Sequence, residues 1–113
     1  MDRVFELRIE LEHTEPTVWR QLVVPETLSF YELHHAIQIT FGWQNYHIYS
    51  FMVGDQTIGN PDLIEDSEVN NDKSIFINQV LQKKKDTIRY EYDFGDGWMH
   101  SITLEKINPN DAE

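Results

Sequence analysis

Five histidines and no cysteine set the chemistry open to this chain. Without thiols there are no disulfides, thiolate nucleophiles, iron–sulfur clusters or cysteine-type zinc sites. What remains is imidazole working with carboxylates, either on a metal ion or as an acid–base pair. Asp93, Asp96 and His100 lie close together near the C-terminal end and are the candidate catalytic residues. With His47 they are also the set that would hold a metal if one bound, and a hydrolase or ligand site could add His34. Asp93, Asp96 and His100 are three and four residues apart, but they fall in a segment read as a hairpin rather than on a helix, so no typical ligand pair is present and neither a metal nor a cofactor is expected. The plainer expectation is that His34, His47 and His100 are core histidines bonded to backbone or tyrosine. Asp93 and Asp96 are then turn acids bonding nearby amides. Trp43 and Trp98, with His34 and His47, are the candidate ligand or interaction residues, because indoles anchor interfaces as readily as cores.

Motifs with a built-in mechanism do not change this. Asp93-Phe94-Gly95 matches the metal-binding tripeptide of kinases, but no glycine-rich loop and no H-R-D sequence accompany it. Phosphate-binding loops, dinucleotide fingerprints, nucleophile elbows and H-E-x-x-H are missing too. Residues 55–72 hold six acids and no base without the calcium-loop pattern, so they read as a solvated loop.

The elements that must position these residues are legible from periodicity. Phe5, Leu7, Ile9 and Leu11 alternate with Glu6, Arg8, Glu10 and Glu12, which predicts a half-buried strand over 4–12. A turn at 13–17 leads to a second strand over 18–24, stopped by Pro25 and paired antiparallel with the first. Ser29 and Glu32 form a capping box, Phe30, Leu33, Ile37 and Phe41 make one stripe, and Gly42 supplies the left-handed stop. That is a helix over 29–41, with His34 beside the stripe, His35 pointing away and Ile39 nearly opposite. A third strand is predicted over 46–53, with a short extension at 56–58; 75–82 is either strand or short helix. Residues 88–94 and 98–104 alternate as a hairpin. A three-residue loop would pair Phe94 with Trp98, Tyr92 with His100, Tyr90 with Ile102 and Ile88 with Leu104, with Gly97 left-handed. The expected fold is α+β, one domain over 1–113. It has an antiparallel or mixed sheet of about five strands and the 29–41 helix packed on one face.

Charge limits the partners. Nine bases against twenty acids leave a net charge of −11 among 113 residues, so direct nucleic-acid binding is not expected. No apolar run is long enough to cross a membrane, and charges stand where a secretory leader would be apolar, so a cytoplasmic location is expected.

Five pieces of the chain, in order, carry a family resemblance. They are Pro16-Thr17-Val18-Trp19-Arg20, Leu33-His34-His35-Ala36-Ile37-Gln38, Phe41-Gly42-Trp43, His47-Ile48-Tyr49-Ser50-Phe51, and Tyr90-Glu91-Tyr92-Asp93-Phe94-Gly95-Asp96-Gly97-Trp98-Met99-His100. The last is long and specific. The chain resembles the plasmid open-reading-frame-three-like family of bacteria and archaea, whose function is not established. The resemblance implies an α+β fold with a mixed or antiparallel sheet. Some members carry a resolvase label, and some are fused to a repressor-like DNA-binding domain. Many continue well past the stretch matching Leu104, so either a short version or a missing C-terminal part is expected, with Ile39 marking where that part would pack. Members often carry a histidine where Tyr49 stands, which weakens a histidine-cluster reading here. A recombinase needs a basic surface and arginines around its nucleophile; the four here are Arg3, Arg8, Arg20 and Arg89, with Arg8 and Arg89 on outer strand faces.

The sequence therefore favours a non-enzymatic interaction or accessory module with an unidentified protein partner. The alternatives are a metal-assisted hydrolase or small-ligand-binding domain built on the His/Asp cluster, and an accessory protein in mobile-element DNA transactions.

Overall fold

A computed structural model describes residues 3–43, 48–64, 68–93 and 97–109. The chain runs β1 (Arg3–Leu11), β2 (Val18–Pro25), α1 (Phe30–Phe41), β3 (Tyr49–Val53), β4 (Gln56–Gly59), β5 (Asn70–Asn71), a 3-10 turn (Ile77–Gln79), β6 (Thr87–Tyr92) and β7 (Trp98–Pro109). The strands form one sheet in the order β2-β1-β7-β6-β3-β4-β5. All neighbours are antiparallel except β4 and β5, which are parallel.

Seven strands correct the expected five, although the architecture remains α+β. Of the two additions, β4 falls where a short extension is expected at 56–58, and β5 lies inside the stretch read as a solvated loop. β4 buries one large apolar side chain, Ile58, too little alternation to mark it as a separate strand. β5 consists of two asparagines, a residue poor in strands, and exists because β4 offers it a partner. Asn70 Nδ2 donates to Thr57 O at 3.2 Å and Asp72 N to Gly59 O at 2.9 Å. The same loop ends in a buried acid, Asp72.

The hairpin also differs from expectation. Tyr92 pairs with Trp98, Tyr90 with His100 and Ile88 with Ile102, two residues away from the predicted register. An even shift keeps every side chain on its predicted face, so the hydrophobic pattern could not tell the two registers apart. β7 runs on past Leu104 because Glu105 is an extra residue opposite Glu6 and Leu7. This bulge returns Ile107 to the core side, opposite Phe5. The ambiguous 75–82 segment is the 3-10 turn plus a single bridge from Phe76 to Ser29.

The helix matches the sequence reading. Ser29 accepts from Glu32 N, the Glu32 carboxylate accepts from Ser29 N, and Gly42 closes the C-terminus at φ 73°. Phe30, Leu33, His34, Ile37 and Gln38 face the sheet. Below them lie Phe5, Leu7 and Ile9 of β1, Ile102 and Leu104 of β7, Tyr90 of β6 and Phe51 of β3, all fully buried. Two helix N–H groups left without intrahelical acceptors are met by the surrounding fold. Phe30 N donates to Ile75 O and Tyr31 N to Asp72 O, both at 3.0 Å. The opposite face of the sheet carries Glu6, Arg8, Glu10, Arg89 and Glu91. No helix of the described residues is long and apolar enough to cross a membrane.

Candidate functional site

The register sets side chains in rows across the core face. One row reads Leu11, His100, Tyr90, Phe51 and Ile58; the next reads Trp98, Tyr92 and Tyr49. The helix lays His34 and Gln38, one turn apart, over the first row. Gln38 Nε2 donates to the Tyr90 hydroxyl at 3.0 Å, and His34 Nδ1 lies 2.7 Å from the same oxygen. A phenol has one proton, and with Gln38 donating to it that proton is best used on His34 Nδ1. The His34 ring stacks on Tyr49, 3.4 Å between centroids and 9° from parallel. Tyr49 in turn donates its hydroxyl to Asp72 Oδ2. Burial is the main force pushing both phenols, Tyr49 and Tyr90, well above the usual tyrosine range, so both stay protonated donors. These bonds tie the helix, β6, β3 and the 72–76 connection together, although Asp72 Oδ1, the other oxygen of the carboxylate that Tyr49 bonds, is buried without a hydrogen-bond partner among the described residues.

Past the end of the helix the same residue types form a different arrangement. Phe41 packs edge-on to His100 at 5.1 Å and Trp43 does so at 6.4 Å. Trp43 also lies 5.7 Å from both Tyr92 and Trp98. His100 Nδ1 donates to Tyr90 O at 3.3 Å. Burial holds the His100 pKa below the ordinary histidine value, so the ring is neutral and Nε2 carries a lone pair. That Nε2 and the Trp43 indole Nε1 are buried and have no hydrogen-bond partner among the described residues. An acceptor and a donor thus go unused within one aromatic cluster. The cluster reaches solvent at Trp98, which is 39% exposed.

The structure therefore brings His34, His100, Trp43 and Trp98 around Tyr90 and Tyr92. Asp93 is at the adjoining turn with φ 63°, where its N donates to Ile48 O at 2.9 Å and its O accepts from Gly97 N at 2.6 Å. Gly97 has the expected positive φ, 70°. His47 and Asp96 lie outside the described residues, so the proposed ligand set of His47, His100, Asp93 and Asp96 is not on view as a whole. Among the described residues no group of three or more histidine or carboxylate side chains is gathered to hold a metal. Sequence reasoning missed Gln38, Tyr49 and Asp72. Gln38 had a signal, four residues after His34 on the buried stripe; Asp72 had none, because its burial depends on a loop returning to β4.

Comparison with known proteins places this geometry. Residues 3–113 match the model of the family described as plasmid pRiA4b ORF-3-like protein. The uncharacterized protein y4hQ of Sinorhizobium fredii is 37% identical over 107 residues, covering 94% of this chain and 55% of that protein. The crystal structure of a protein of unknown function, MM3350 from Methanosarcina mazei Go1, superposes with a TM-score of 0.84 at 32% identity. It covers 99% of this chain and 64% of the other. The chain thus spans about half the length of its curated relative and under two thirds of its solved one.

Proposed function

The chain belongs to the plasmid pRiA4b ORF-3-like family, and we propose that it is a non-enzymatic recognition domain whose binding end is the Phe41–Trp43–Tyr92–Trp98–His100 cluster. Its occupant is a short segment of a protein partner. The observation that carries this reading is the unused pair inside the cluster, the Trp43 indole N–H and the His100 Nε2 lone pair. A buried polar group without a partner costs about 1–3 kcal/mol, and such costs persist where a ligand completes the bonding. A peptide amide carries one acceptor and one donor and could serve both groups, while the rings supply apolar contact area. The net charge of −11 argues against a phosphate backbone as the direct ligand, so any role in DNA transactions would run through another protein. A cysteine-free chain without a long apolar segment suits the cytoplasm.

The test uses a random peptide library displayed on phage, with recovered peptides titrated calorimetrically into the parent, Trp98→Ala and His100→Gln. The expected result is micromolar binding by the parent, weakened at least about tenfold in both variants while their melts stay cooperative. Peptides that bind both variants as well as the parent would refute the site. Hydrolysis of a phosphoester or amide panel that needs added zinc or manganese, and is lost in Asp93→Asn, would replace recognition by catalysis.

A further inference from the structure

The sheet has two edges, and they are not alike. β5 is two residues long and stands between Glu68 and Asp72. β2 is eight residues long, and residues 16–25 contain no acid in a chain with twenty. The chain's large negative charge therefore opposes close approach of another copy least along β2. β2 also displays two exposed apolar side chains, Trp19 at 43% and Val23 at 63%, both on the face away from the helix. They lie four residues apart, with Gln21 midway.

The backbone direction follows from the pairing. Glu26 N donates inward to Arg3 O, while Trp19 O is bonded by the guanidinium of its own neighbour, Arg20, at 2.9 Å. Alternation along an antiparallel strand then turns the N–H and C=O groups of Trp19, Gln21 and Val23 outward. Pro25, which has no N–H, ends the outward set, as prolines do on edges.

We propose that β2 pairs with β2 of a second copy of this chain, antiparallel, about a two-fold axis at Gln21. Gln21 then lies opposite Gln21, and Trp19 opposite Val23. Every outward N–H from 19 to 23 meets an outward carbonyl, and the two sheets become one. The exposed indole and isopropyl groups cover one another as a cross-strand pair on the outer face. The neighbouring axes are worse. An axis at Arg20 sets two guanidinium groups opposite each other, and one at Leu22 sets Trp19 opposite Pro25, which cannot donate. Odd shifts put the core face of one copy on the outer face of the other. The interface is isologous and closed, so the pairing stops at two copies.

The experiment is sedimentation velocity of the full chain at ten to several hundred micromolar, with Gln21→Lys, Gln21→Glu and an equimolar mixture of the two. The parent is expected to dimerise. Each variant alone places like charges directly opposite and should weaken the dimer about fivefold or more. The mixture should restore it, because a lysine of one variant then faces a glutamate of the other across the axis. Gln21 is exposed and donates its side-chain amide to Glu6 Oε1 at 2.9 Å, so Gln21→Lys keeps a partner there and should melt like the parent, while Gln21→Glu sets a second carboxylate beside Glu6 and should melt slightly lower. A parent that is monomeric throughout, a dimer that ignores both substitutions, or a mixture no tighter than its components would each overturn the proposal. Because Gln21 is on the outer-face side of an edge strand, this outcome is independent of the peptide site at Trp98.

Discussion

Two histidines on the core face, His34 and His100, are both fully buried and both sit against Tyr90, yet they belong to opposite kinds of site. His34 shares the Tyr90 hydroxyl with Gln38 and stacks on Tyr49, which is itself tied to Asp72. His100 uses one nitrogen on a backbone carbonyl and leaves the other unspent beside an equally unspent indole N–H. The first arrangement rigidifies, and its one unspent atom among the described residues, Asp72 Oδ1, lies on a carboxylate already bonded by Tyr49; the second leaves both a donor and an acceptor in reserve within one cluster. Residue type and burial therefore do not separate structure from function here. The hydrogen bonds do, one nitrogen at a time.

The largest effects should come from the core under α1 and from the closed centre beside it. Phe30, fully buried and 5.0 Å edge-on to Phe51, should cost about 3–5 kcal/mol on truncation to alanine. Against a typical total of roughly 5–15 kcal/mol, Phe30→Ala should be largely unfolded at 37 °C, which circular dichroism would report. Tyr90→Phe is subtler: it removes one oxygen that two buried side chains bond. A loss of about 1–3 kcal/mol is expected in a denaturant melt, with peptide binding at the aromatic end retained. If Tyr90→Phe melts like the parent, the centre is not the clamp described here.

The open end should respond more weakly. Gly97→Ala at φ 70° should cost about 1 kcal/mol through backbone strain, since the nearest atom to an added Cβ is Glu91 Oε2 at 3.9 Å and space is not the obstacle. His100 adds a pH signature. Its folded pKa is lower than its unfolded one, so below about pH 6.5 the unfolded chain takes up a proton that the folded chain refuses. Stability should fall as pH drops from about 6.5 towards the folded value, and that part of the slope should vanish in His100→Gln. A slope unchanged by the substitution would mean His100 does not titrate as a buried neutral ring.

How far the sequence foretells this depends on whether a feature is local. Ser29, Glu32 and Gly42 mark the ends of α1 because caps are read within a few residues. The alternation in β1 and β6 likewise gives their buried faces. The hairpin register and the seven-strand count depend on which strand offers a partner, and no alternation encodes that. The site is legible in the same proportion. Trp43, Trp98, His34 and His100 stand out by type, and the structure does group them. The difference between the two histidines is invisible until Gln38, Tyr49 and Asp72 are in place, since it lies in what each ring nitrogen faces.

The contrast is tested most directly by the indole and imidazole NMR resonances of the protein during titration with a library-selected peptide. An open His100 end and a closed His34 centre predict saturable shifts of the Trp43 and Trp98 indole N–H signals and of the His100 ring, while the His34 ring and the Trp19 indole stay within a small fraction of those changes. Shifts confined to Trp19, or a His34 ring that moves as far as His100, would contradict that division.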